Sequence, residues 1–156
     1  MKGIRTICPE KALEAMIHQT EARHPGISSV GRDGFGYYDR LGYVPYPEVH
    51  EATAKTLEYA YADWCVARFA DSIGRKEIAD TYYRKALNYR NLYYPDYGFM
   101  WAKDANGKWR DAFDATEWGG PFTEGSSWHW TWSVLHDPEG LSLSLIHISE
   151  PTRQEA

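Results

Sequence analysis

The chain has 156 residues, enough for one ordinary domain, and 43% of them are apolar, so a packed core is within reach and global disorder is excluded. The net charge of −5, with no basic stripe, argues against a nucleic-acid partner. No apolar run approaches the ~20 residues of a membrane span.

The N-terminus, MKGIRTICPEKALEA, lacks a sustained apolar stretch and does not read as a signal peptide. Pro9 suits a first helical turn. Ala12, Leu13, Met16 and Ile17 then recur at helical spacing, predicting a helix to about His24 that Pro25-Gly26 ends. Residues 26–49 are rich in Gly, Pro and Tyr and predict a long ordered loop with short strand pieces. A second helix is expected from about His50 to Ile73, on a stripe of Ala54, Leu57, Tyr61, Trp64, Cys65 and Ala67, with Gly74 as its stop. Lys76 opens a third, with Ile78, Tyr82, Ala86, Tyr89 and Tyr93 in line. Two helices joined at one glycine must lie antiparallel. Pro95 to Gly98 signals a turn, and residues 98–123 a loop with a small hairpin at Asn106-Gly107.

The most informative stretch is PFTEGSSWHWTW, residues 121–132. Its tryptophans alternate like a strand, yet Ser126 or Ser127 can cap a helix beginning just after Glu124, and the helix is the reading adopted. Glu124 then sits at the mouth of that helix. A carboxyl against indoles is one way to make a proton donor, because an apolar wall disfavours the anion and raises the pKa. The alternative is a Glu that merely complements the helix dipole, which would lower it.

Cys8 and Cys65 have no metal-ligand spacing. Cys65 reads as a buried apolar residue, a disulfide being the weaker alternative. The six His show no HExxH pattern. Asp104, Asp111 and Asp114 are spread along a loop rather than gathered into a calcium cage, so no metal site is expected in this chain alone. Asp63, within the second helix, is expected to be a buried, hydrogen-bonded structural carboxylate. His136-Asp137 reads as a helix-end structure rather than a catalytic pair. Residues 143–153, LSLIHISEPTR, resemble a translated sequencing adapter. Residues 1–142 are therefore expected to be native and 143–156 a non-native tail, against the alternative of a natural polar terminus.

Four blocks taken in order resemble glycoside hydrolase family 92, the calcium-dependent exo-acting α-mannosidases. They are GRDGFGYYDRLGYVPY (31–46), KTLEYAYADWCVARFADSIG (55–74), KALNYRNLYYPDYGFM (85–100) and FTEGSSWHWTWSVLHDPEGL (122–141). The resemblance implies an all-α fold: a central fragment of an (α/α)6 barrel with long ordered loops, which in the family follows a β-sandwich. It implies inverting hydrolysis of terminal α-mannosyl linkages in mannan or N-glycans, with Glu124 as the general acid. The general base and most calcium ligands are implied to lie downstream, so Ca2+ belongs to the intact parent. That parent is implied to be periplasmic or secreted. Departures are mild: Ser126-Ser127 stands where the family often has Asn and Ala, and His129 where it often has Gln.

Around that acid, Asp33 is a candidate for sugar hydroxyls (or an Asp-Gly turn), Tyr43 for the pocket lining (or a packed Tyr), and Trp128 for a pocket wall (or a core indole). Two non-enzymatic readings remain beside the hydrolase. One is a helical-hairpin interaction module, although no 34-residue repeat is visible. The other is a module that holds glycan on its aromatics without cleaving it. The excised piece itself is expected to be inactive and poorly stable.

Overall fold

The computed structural model describes residues 8–27 and 30–148. It is mainly helical, with one small two-stranded sheet. Helix α1 spans Pro9–Gln19, α2 Phe35–Leu41, α3 Ala52–Ser72 and α4 Lys76–Ala86. A 3-10 turn, Leu87–Leu92, leads into strands β1 Tyr93–Tyr94 and β2 Phe99–Met100. Helix α5, Ser127–Trp130, is followed by a 3-10 turn, Thr131–Ser133, and by α6, Pro138–Ile148.

Helices α3 and α4 form the expected antiparallel hairpin. Gly74 takes φ 78°, where only glycine is free of a Cβ penalty. That conformation lets Arg75 N–H reach back to the Ala70 carbonyl at 2.8 Å and Gly74 N–H to Asp71 at 3.0 Å, satisfying the last carbonyls of α3. The facing residues are small: Ala67 and Ala70 meet Ala79, with Leu13 of α1, Val66 and Tyr82 completing the cluster. Small side chains let the backbones approach closely, so α1 and the hairpin share one apolar seam.

The first half of α3 is buried on several sides at once, through Ala52, Thr53, Ala54, Thr56, Leu57 and Ala60. Leu57 and Ala60 pack with Tyr89, Met100, Val134 and Leu141, which ties β2 and α6 to the same helix. Ala52 packs with Tyr38 and Val44.

The sequence predicts loop across residues 26–49, but a helical segment stands there. Gly34 and Gly42, both with positive φ, bracket α2. What stabilises it is distant: the Tyr38 hydroxyl donates to Asp63 Oδ2 at 2.8 Å, and Arg32 Nη2 donates to Asp63 Oδ1 at the same distance. Asp63 is fully buried, and here the two partners neutralise and bond it, so it is the structural carboxylate its position suggested. The first helix stops at Gln19 rather than near His24; Thr20 caps it, and Glu21 is tied instead to a later segment, its carbonyl accepting Arg32 N–H at 2.7 Å. The third tightens to 3-10 geometry after Ala86, although Tyr89 keeps the helical apolar spacing. The 94–98 turn closes a hairpin, pairing Tyr93 with Met100 and Tyr94 with Phe99. Near Asn106-Gly107 there is a single bridge, Lys103 to Trp109.

Asp137 starts α6, its Oδ1 accepting Gly140 N–H at 3.0 Å while Oδ2 takes Tyr89 and Arg90; His136 turns away to the Ala86 carbonyl. Helix α6 runs across position 143, where the expected tail begins; residues 149–156 lie outside the described ones. Cys8 and Cys65 are both free thiols, Cys65 half-buried. No helix among the described residues is long and apolar enough to cross a membrane.

Candidate active site

The loop before α5 is closed on itself. Gly119 N–H donates to the Gly125 carbonyl at 2.8 Å, and Phe122 N–H to the Gly119 carbonyl at 3.1 Å. Phe122 is 1% exposed and anchors the loop against Trp101. Three of its residues are left-handed: Gly119 and Gly120, where this is free, and Glu124 at φ 44°, where it is not. A side chain in that region costs on the order of 1–2 kcal/mol, and such strain gathers where the chain must aim a functional group. Glu124 is thereby carried on the outside of a tight loop, and it is exposed to solvent. Of the indoles that follow it, Trp130 donates from Nε1 to the Thr123 carbonyl at 2.9 Å, while Trp128 stays 54% exposed.

The loop is joined to α3 by an unusual cap. The first N–H groups of any helix lack internal partners, and α3 has no side-chain cap. Instead, Gly120 accepts Glu51 N–H at 3.2 Å, and Pro121 accepts Thr53 N–H at 3.0 Å and Ala54 N–H at 3.2 Å. Glu51, the N-cap residue, is itself left-handed at φ 55°.

The same end of α3 holds Asp33. Lys55, in the first turn, donates from Nζ to Asp33 Oδ2 at 2.9 Å and to the His50 carbonyl at 2.8 Å. The Lys55 hydrogen bond, more than the weaker charge of Arg23 at 3.8 Å, holds the Asp33 carboxyl below the usual aspartate value. Arg32, immediately before it, is locked between Asp63 and the Tyr38 and Tyr59 rings. Asp33 borders a cleft of about 500 Å³ with Arg23, Tyr37 and Arg40; Glu124 does not line that cleft.

Helix α5 is set by a capping box. Ser126 and His129 satisfy one another's end of the first turn, with Ser126 N–H donating to His129 Nδ1 at 3.2 Å. Ser127 Oγ bonds the Met100 carbonyl, and Met100 N–H donates to Thr131 Oγ1 at 2.9 Å, so α5 is stapled to β2. Trp128 N–H reaches the Ala115 carbonyl at 3.0 Å and its ring leans on Phe99.

Of the residues singled out from sequence, Asp33 and Glu124 are brought to one end of α3 through Lys55 and Pro121. Trp128 follows Glu124 on α5. Tyr43 is elsewhere engaged: it is 6% exposed, its hydroxyl donates to the Asp104 carbonyl at 2.9 Å, and burial pushes its pKa up. This is the packed alternative. Sequence reasoning passed over Lys55, Trp118 and the Arg110–Glu117 pair, a two-bond fork at 2.7 and 2.8 Å. A lysine in the first turn of a helix, where the helix dipole disfavours a cation, was the available signal for the first.

No group of three or more His, Cys, Asp or Glu among the described residues is placed to hold a metal. Asp104 Oδ1 accepts the N–H groups of Asn106 and Lys108, Asp114 Oδ1 accepts that of Thr116, and Asp111 pairs with Lys108. Two of these carboxylates make turns and the third a surface ion pair, so they do not fit a calcium shell of six to eight oxygens.

Residues 1–145 match the family model described as the glycosyl hydrolase family 92 catalytic domain. An inverting mannosidase of family 92 from Bacteroides thetaiotaomicron is 80% identical, with a TM-score of 0.89 over 92% of this chain. A family 92 α-mannosidase from the same species, in complex with mannoimidazole, is 28% identical with a TM-score of 0.79 over 91% of this chain. A protein described as an uncharacterized secreted glycosidase, from Arthroderma benhamiae, is 25% identical over 118 residues, 63% of this chain. The chain spans only 15% of that protein and 20% of each of the two mannosidases.

Proposed function

The chain belongs to glycosyl hydrolase family 92, and on that premise we propose that the full-length protein removes terminal α-mannose from glycans by inverting hydrolysis. Glu124 is the general acid. The observation that carries this reading is the conformation of Glu124: an exposed carboxyl, at φ 44°, on a loop pinned at both Gly119–Gly125 and the start of α3. Strain of this kind at a solvent-facing glutamate supports a functional role for it. The similarity to an inverting mannosidase, and to an α-mannosidase seen with mannoimidazole, supports the sugar.

In this mechanism Glu124 passes its proton to the glycosidic oxygen as the bond to the anomeric carbon breaks. A water attacks the opposite face, its proton taken by a second carboxylate roughly 6.5–9.5 Å away. We place that second carboxylate, and the calcium ligands, outside this chain, as part of a complete (α/α)6 barrel. Asp33, kept ionised by Lys55, is an acceptor for the sugar's hydroxyls, and Trp128 offers an indole face beside the acid. Likeness to a secreted glycosidase favours a periplasmic or secreted location for the full-length protein.

The test is Glu124→Gln in the full-length protein. The amide keeps shape and hydrogen bonding but cannot donate an acidic proton. Hydrolysis of α-mannosides is expected to fall by about 100-fold or more, with mannoside binding retained. Unchanged turnover removes Glu124 from the role. Binding without hydrolysis in the unmodified protein would instead favour the sugar-binding reading.

A further inference from the structure

Trp118 stands immediately before the Glu124 loop and is 67% exposed, although burying an indole is strongly favourable. Its ring meets that of His129 at 5.6 Å between centroids and 81° between planes. His129 is fixed rather than free. Its Nδ1 accepts the Ser126 N–H at 3.2 Å and lies 2.9 Å from Ser126 Oγ. A ring nitrogen that accepts an N–H carries no proton, so the neutral imidazole's hydrogen is on Nε2. Nε2–H is then the ring's remaining donor, on an exposed side chain beside an exposed indole.

The Glu124 loop has two attachments. Gly120 and Pro121 tie it to α3, where Lys55 holds Asp33. The Gly119–Gly125 bond closes its base and joins the segment that bears Trp118 to the segment that leads to His129. A general acid protonates the oxygen between two sugar rings, so a loop that carries one needs groups for both rings, and the two attachments bring a different set of side chains to it.

We propose that Trp118 and His129 form the subsite for the leaving sugar. The indole takes the ring's apolar face, and Nε2–H donates to one of its hydroxyls. The proposal rests on the mannosidase reading with Glu124 as acid. It makes Trp118 and His129 specificity determinants, since they act on the sugar that departs.

The experiment compares kcat/KM on an α-linked dimannoside with kcat/KM on α-mannosyl fluoride, whose leaving group has no ring, in the full-length protein. In Trp118→Ala the dimannoside-to-fluoride ratio is expected to fall about tenfold or more, and in Trp118→Phe to stay near that of the unmodified protein. An unchanged ratio in Trp118→Ala overturns the subsite, and so does an equal loss on both substrates, which marks Trp118 as packing against other parts of the protein. If the unmodified protein turns over neither substrate, the mannosidase reading fails and the subsite falls with it. If Trp118→Ala does not fold, saturation-transfer NMR on the unmodified protein with a thio-linked dimannoside reads the same contact. Saturation of the leaving ring supports the subsite; saturation confined to the other ring overturns it.

Discussion

Thr53 donates its backbone N–H to the carbonyl of Pro121 at 3.0 Å, so a loop far along the chain finishes the start of the longest helix. Ala54 N–H shares the Pro121 carbonyl at 3.2 Å, and Glu51 N–H donates to the Gly120 carbonyl at 3.2 Å. The segment that aims Glu124 is therefore held by the backbone of α3, and the rigidity of one is lent to the other.

Glu124 is expected to cost the protein stability. Glu124→Gly should be more stable than Glu124→Ala by about 1 kcal/mol, because glycine is unstrained at φ 44° and alanine is not. Both variants lose the acid. Denaturant midpoints of the two, compared in the full-length protein, read the difference; alanine equal to or better than glycine would deny the strain.

The Arg32–Asp63 pair is a buried ion pair, with side chains 4% and 0% exposed. Removing one partner strands the other's charge, at a cost of about 3–5 kcal/mol. Arg32→Met and Asp63→Leu should each destabilise by that order, and the double variant by much less than their sum. A double-mutant cycle from thermal or denaturant unfolding measures it; strict additivity would mean that the two groups do not act as a pair. The Tyr38 hydroxyl belongs to the same cluster. Burial, then the Asp63 charge, pushes its pKa well up, so it stays protonated across the working range.

Lys55 and Asp33 give a pH signature. The Asp33 carboxyl is held below its ordinary value of 3.8, chiefly by the Lys55 hydrogen bond. An acid lowered on folding stabilises the fold above its unfolded value, and that contribution is lost as the pH falls through the lowered, folded value. Lys55→Met should therefore lower the unfolding midpoint at neutral pH, and the gap from the unmodified protein should shrink on acidification to about pH 2. A gap independent of pH would show that Lys55 acts by packing alone.

The chain by itself should behave as a part. Outside the proposed sugar contacts, Ile27, Tyr97, Trp132 and Leu135 are all more than half exposed, a large apolar surface for a stable monomer. The isolated 156-residue chain is expected to bind a hydrophobic dye, to aggregate, and to show no mannosidase activity. A monomer with a sharp cooperative melt would contradict this.

What could be read from the sequence followed its local chemistry. The α3–α4 hairpin was legible because one glycine between two apolar-periodic segments leaves few alternatives. A cap at Ser126 or Ser127 was legible because serine before a short apolar run favours that role, and the structure uses Ser126. Helix α2 was not: FGYYDRL has a glycine in it and no apolar period, and its order comes from Tyr38 reaching Asp63 in another helix. The extent of α4 was overread because Tyr89 keeps the spacing while the backbone tightens around it. Around Glu124, the residue's prominence was legible and its geometry was not. Nothing in Thr-Glu-Gly announces a left-handed glutamate, and the carbonyls that hold its loop carry no side-chain identity to read.

The way α3 begins also limits how this gene can be cut and rejoined. A crossover between two homologues anywhere from Lys55 to Trp118 would take the opening of the helix from one parent and its stopper from the other. Chimeras with breakpoints outside that interval inherit both from the same ancestor, and they are the ones in which the glutamate keeps its aim.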